Sequence, residues 1–166
     1  MTTLSVTVGM SISGTETLGV NVPAATTAKR QVTHDQLNLS AALSNGSTPP
    51  VSEIVVISTN LAAGAKSIDL TAAPGTNGRV IDLTGLRLRA MKITNNGGAE
   101  MVVDHNASNA YNWNDASPET IAPGGVIGRY FGANNTWSPA VSSTRKILAI
   151  AGTGTDALTI ELLFGT

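Results

Sequence analysis

A chain of 166 residues can hold one domain with a sizeable core and is short for two. Only 13% of its residues are charged, roughly half the usual share, and a formal net charge of −1 supplies no general pull toward nucleic acid or an anionic membrane. Cysteine is absent, which excludes disulfides, thiolate nucleophiles and cysteine-based zinc sites.

Alternating Leu4, Val6 and Val8 open the chain with the two-residue period of a strand, and Leu18, Val20 and Val22 give a second strand after Gly14. The opening stretch has neither a basic n-region nor a continuous apolar h-region, so no Sec signal is expected. No apolar run reaches the length of a membrane-spanning helix. Residues 24–35 are small and polar and read as an exposed connector. Residues 1–35 are therefore expected to be N-terminal strands or an arm, and residues 36–166 the core domain. Leu37, Leu39, Ala41 and Leu43 alternate again. The β-branched run Ile54-Val55-Val56-Ile57 predicts a strand buried on both faces. A turn at Ala62-Ala63-Gly64-Ala65 returns the chain through Ile68 and Leu70.

Residues 79–105 are the stretch around which the rest is organised. Leu86, Leu88, Met91 and Ile93 lead into Asn95-Asn96-Gly97-Gly98, a turn of residues that tolerate positive φ, and Met101, Val102 and Val103 follow it. After an irregular stretch, Ile121 and Val126 flank the turn Pro123-Gly124-Gly125, and one of Tyr130 and Phe131 should point inward. Residues 146–164 repeat the pattern around the turn Gly152-Thr153-Gly154-Thr155-Asp156. Short strands separated by turn signals, with no sustained helical period, predict an all-β, single-domain β-sandwich or jelly roll with glycine-rich hairpins.

Five of the six aromatic residues, Tyr111, Trp113, Tyr130, Phe131 and Trp137, fall in one region of the chain. They read as core packing at one end of the sandwich, as anchors of a protein interface, or as platforms for sugars. Trp113 and Trp137 sit among asparagines in polar loops, which favours partial exposure. Arg87 and Arg89, two apart on a strand, share a side and form either an ordinary solvent face or a contact for an acidic patch on a neighbouring subunit. His34-Asp35, Asp104-His105, Asp115 and Glu119 lack the spacing of zinc or calcium ligands, and no catalytic motif occurs. Neither a metal, a cofactor nor an enzymatic activity is expected.

The succession Leu61-Ala62-Ala63-Gly64-Ala65, Ile68-Asp69-Leu70-Thr71, Val80-Ile81-Asp82-Leu83-Thr84-Gly85-Leu86, Asn109-Ala110-Tyr111 and Ile121-Ala122-Pro123-Gly124-Gly125 resembles a family of small all-β virion proteins of tailed phages, capsid decoration (cement) proteins among them. The likeness runs over residues 51–164. It implies a protein of the capsid surface, assembled in the bacterial host cytoplasm, whose partner is the major capsid protein. A homo-oligomer, with a trimer the natural guess at shell vertices, and candidate contacts at Tyr111, Trp113, Trp137, Arg87 and Arg89 go with that reading; nucleic acid and membrane do not. The alternative is a carbohydrate-binding or adhesion module of a phage tail or cell surface, with Trp113 and Trp137 stacking on glycans.

Overall fold

The computed structural model describes residues 5–18, 30–48, 50–75, 78–104, 108–113, 117–132 and 138–166. Their strands are β1 (Ser5–Leu18), β2 (Arg30–Ser44), β3 (Glu53–Asn60), β4 (Ala65–Asp69), β5 (Ala73–Pro74), β6 (Val80–Ile81), β7 (Arg87–Asn95), β8 (Met101–Asp104), β9 (Glu119–Ile121), β10 (Val126–Tyr130), β11 (Ile147–Ala151) and β12 (Ala157–Gly165). Two compact units result, one spanning Val6–Ala42 and the other comprising Ser5 and Leu43–Thr166.

In the first unit β1 and β2 pair as a two-stranded sheet. β1 continues through Gly14, where the sequence suggests an interruption, and β2 already begins at Arg30, inside the stretch read as a connector. Val20 and Val22 lie outside the described residues.

The second unit carries two four-stranded antiparallel sheets, ordered β10-β7-β12-β3 and β4-β11-β8-β9, and the short pair β5-β6. Each of the connections β3–β4, β7–β8, β9–β10 and β11–β12 takes the chain from one sheet to the other. Eight strands in this order form a jelly-roll sandwich. The glycine-rich turns fall where the sequence places them. The strands they join face each other across the core and belong to different ladders.

One buried cluster fills the space between the sheets. β12 shows why: Leu158, Ile160, Leu162 and Phe164 alternate with less buried positions and all enter the core. β3 is a correction to the expectation of burial on both faces. It is an edge strand, with Val55 and Ile57 inward and Val56 53% exposed. An unbroken apolar run cannot by itself distinguish the two cases, because whether another layer packs on the second face depends on parts of the chain far from the run.

β7 departs from strict alternation. Leu88 and Met91 both enter the core although they are three apart. The ladder with β12 pairs Leu163 with Ala90 but Phe164 with Leu88, so Arg89 is the extra residue of a β-bulge. The bulge restores the inward phase.

The four sheet-crossing turns are stitched together at one end. Gly152 N donates to Gly64 O and Gly64 N donates to Gly154 O, both at 2.8 Å, and Leu61 N donates to Asp156 O at 2.9 Å. Gly64 has φ of 79°, and a Cβ there would lie 2.8 Å from Gly152 O, so the turn requires glycine. Asn95 is wholly buried; its Nδ2 donates to Ala99 O (2.7 Å) and Ile121 O (3.0 Å), and its Oδ1 accepts from Gly97 N at 2.9 Å. A buried amide satisfied on both atoms locks two of these turns in place. The longer connections leave from the opposite end.

Candidate functional site

Most of the residues singled out in the sequence meet at that opposite end. Tyr111 follows Asn109, whose φ of 58° turns the chain so that Asn109 O accepts from Lys146 N and Ile147 N, both at 2.9 Å. Tyr111 N then donates to Ile147 O at 2.8 Å, which fixes the side chain over the end of the core. The ring is buried against Phe164, with centroids 6.0 Å apart and planes at 59°. Its hydroxyl donates to Pro139 O at 2.7 Å, accepts from Leu88 N at 3.1 Å and lies 3.0 Å from Ser138 Oγ. Burial pushes the Tyr111 pKa above the usual phenol value. Tyr111 is thus a bolt between β7 and the 138–141 segment, one of the core positions weighed for the aromatic group.

Trp113 corrects the expectation of partial exposure: it is 1% exposed. Polar neighbours in sequence suggested solvent, but the ring turns under the β9 side of the sandwich. Its Nε1 donates to Glu119 Oε1 at 3.3 Å, and Glu119 Oε2 pairs with Arg129 Nη2 at 3.0 Å. This chain closes the gap between the edge strands β9 and β10. Of the adjacent aromatics in β10 and after it, Phe131 is buried and Tyr130 exposed, as the alternation requires. Trp137, His105 and Asp115 lie outside the described residues.

The two arginines come to lie differently. Arg87 is exposed and its Nη1 donates to Ser138 O at 2.8 Å. Arg89, the bulge residue, is 5% exposed; its Nη2 donates to Thr166 O at 2.5 Å and its Nε is buried with no hydrogen-bond partner among the described residues. A shared solvent face is therefore not what the pair forms, because the bulge buries one member. Among the described residues no Asp or Glu carboxylate stands within ion-pair distance of either guanidinium. Burial, and then the like charge of Arg87, lowers the Arg89 pKa from its ordinary value. Arginine remains protonated through such shifts.

Ser138 joins these groups and was not singled out in the sequence. It is buried, its carbonyl holds Arg87 and its hydroxyl meets Tyr111. A serine in a loop gives no sequence signal for such a role. A clearer signal lies in the two copies of Ile-Asp-Leu-Thr, at residues 68–71 and 81–84. Each Asp accepts from the Thr two residues on, through backbone N–H and hydroxyl, at 2.9 and 2.7 Å for Asp69 and 2.9 and 2.6 Å for Asp82. Both leucines are buried, and Leu83 N donates to Leu70 O at 3.1 Å. Lys146 donates to Asp69 at 2.8 Å, and with Thr71 it lowers the Asp69 pKa to about 2.

Among the described residues no group of three His, Cys, Asp or Glu side chains could hold a metal ion. The arrangement at this end holds loops against the core and leaves Arg87 as an exposed cation. Comparisons of the chain with protein-family models, with curated proteins and with solved structures give no match.

Proposed function

We propose that this protein is a virion structural protein that attaches to the assembled head of a tailed phage and stabilises it through contact with the major capsid protein. The observation that supports this is the strand order, β10-β7-β12-β3 over β4-β11-β8-β9, the eight-stranded arrangement found in viral capsid and lectin domains. A fold hosts several functions, so the site must choose between these two. A glycan platform needs an exposed ring, and Trp113, one of the two tryptophans that reading relies on, is buried, while Trp137 lies outside the described residues. An exposed Arg87 with no Asp or Glu partner among the described residues suits an acidic patch on a shell subunit instead. A protein that binds the assembled shell and not its free subunits stabilises the shell by mass action, with no chemistry required.

Sedimentation with stripped heads tests this reading. The expected result is saturable binding to assembled shells and none to unassembled capsid protein, with greater heat resistance of the decorated particle. Arg87→Glu should weaken attachment at least about tenfold, a loss of about 1.4 kcal/mol, while the isolated protein stays folded despite losing the bond to Ser138 O. Absence of shell binding, combined with saturable binding on a glycan array, overturns it.

A further inference from the structure

The outer face of the β10-β7-β12-β3 sheet is unusually plain. Register places Gly128, Lys92, Glu161 and Val56 in one row across the four strands. The row on one side is Tyr130, Ala90, Leu163 and Ile54, its two central members already buried within the chain; on the other it is Val126, Thr94, Thr159 and Ser58. Lys92 and Glu161 are the only charged residues in these rows, paired with each other at 2.9 Å on the two central strands. Three of the four large apolar side chains most exposed on the described surface, Val56, Val126 and Tyr130, belong to the same face.

Among the described residues nothing requires a glycine at position 128. It sits in the middle of β10, carries no positive φ, and a Cβ there would meet nothing within 4 Å. A glycine inside a strand weakens it, and one that neither a bulge nor a described neighbour requires leaves room for close approach by another chain. The row containing it is also self-complementary. Rotation by 180° about an axis parallel to the strands, in the plane of contact and between β7 and β12, places a second copy with its β7 over β12 and its β10 over β3. Lys92 then meets Glu161 of the other copy, Val56 meets the hollow at Gly128, and Tyr130 meets Ile54. Each contact occurs twice, as a two-fold interface demands. Face-to-face stacking of aligned sheets is an ordinary packing geometry.

We propose that this face is the docking surface for a second copy of the chain, arranged about that two-fold axis, with Gly128 receiving Val56 and Lys92 pairing with Glu161 across the interface. The inference rests on the sheet face and is independent of attachment to a shell. It assigns a two-fold contact, where the resemblance implies a trimer.

Light scattering on the full chain at about 100 µM, where even weak association registers, should give twice the monomer mass. Gly128→Arg fills the hollow, and the open space around its Cβ leaves the fold intact; it should weaken dimerisation at least about tenfold with an unchanged melting temperature. Lys92→Glu and Glu161→Lys should each be monomeric, because each variant stacks like charges. An equimolar mixture of the two should regain the dimer, since positions 92 and 161 then carry two carboxylates on one copy and two ammonium groups facing them on the other. A role confined to one chain predicts no such rescue. A monomeric wild type at that concentration, a Gly128→Arg protein that dimerises normally, or well-folded charge variants that fail to associate on mixing would each overturn the proposal.

Discussion

The carboxylate of Asp156 occupies the place that a side chain at Gly97 would need. A Cβ at Gly97 would fall on Asp156 Cβ and Cγ, and Asp156 Oδ2 accepts from Ala99 N at 3.0 Å. The β11–β12 turn thus caps the β7–β8 turn, with no backbone strain at Gly97 itself.

Asp156→Ala should cost about 1–3 kcal/mol by leaving the Ala99 N–H unpaired in a partly buried site. Gly97→Ala should cost about 1–3 kcal/mol by overpacking. Made together, the two should cost less than their sum, because removing the carboxylate relieves the contacts with Cγ and Oδ2 and leaves only that with the Cβ at position 156. Urea denaturation of both single variants and the double variant checks this, and strict additivity would contradict it.

Acid should weaken the β4–β11 corner in a defined window. The Asp69 pKa is lowered from 3.8 to about 2, chiefly by the bond from Lys146 and then by Thr71. A depressed folded-state pKa means that the unfolded chain takes up the proton first as pH falls. The stabilisation is complete above the unfolded value and disappears between about pH 4 and about pH 2. Melting temperatures of wild type and Asp69→Asn should therefore differ near neutral pH and converge over that window. A difference unchanged down to pH 2 would contradict the assignment.

Trp113→Ala should act on folding. A wholly buried indole that closes the β9–β10 side is expected to cost about 3–5 kcal/mol when truncated. Trp113→Phe, which keeps most of the volume but loses the bond to Glu119, should cost less. Guanidinium denaturation separates these from a surface role, in which both variants would unfold like wild type.

Arg89→Met should change stability by less than about 1 kcal/mol or raise it, since a buried charge with no Asp or Glu partner among the described residues exchanges poorly for its own hydration. A loss of several kcal/mol would instead make the bond to Thr166 O the dominant interaction at the bulge.

The fold class was legible because it rests on local signals. Leu158, Ile160, Leu162 and Phe164 alternate without a break, and the turns at residues 62–65, 95–98, 123–125 and 152–156 carry the residues that turns require. What joins to what was not legible: β7 and β8 read as a hairpin ladder, but they lie in different sheets, because sheet order depends on pairings far apart in the chain. The site was legible only in part. Tyr111 was found by its type, but Trp113 was expected to be partly exposed, since polar neighbours in sequence say nothing of what folds over a ring. Arg87 and Arg89 were placed on one face by period two, and the bulge at Arg89 was invisible without the register of β12.

A cryo-EM map of the particle whose genome encodes this chain tests the decoration proposal most directly. The account predicts ordered density for an eight-stranded jelly roll, its strands in the order β10-β7-β12-β3 over β4-β11-β8-β9, seated on the outside of the head against major capsid protein. A head map with every surface density accounted for by other chains, and this jelly roll found on the tail or absent from the particle, would contradict it.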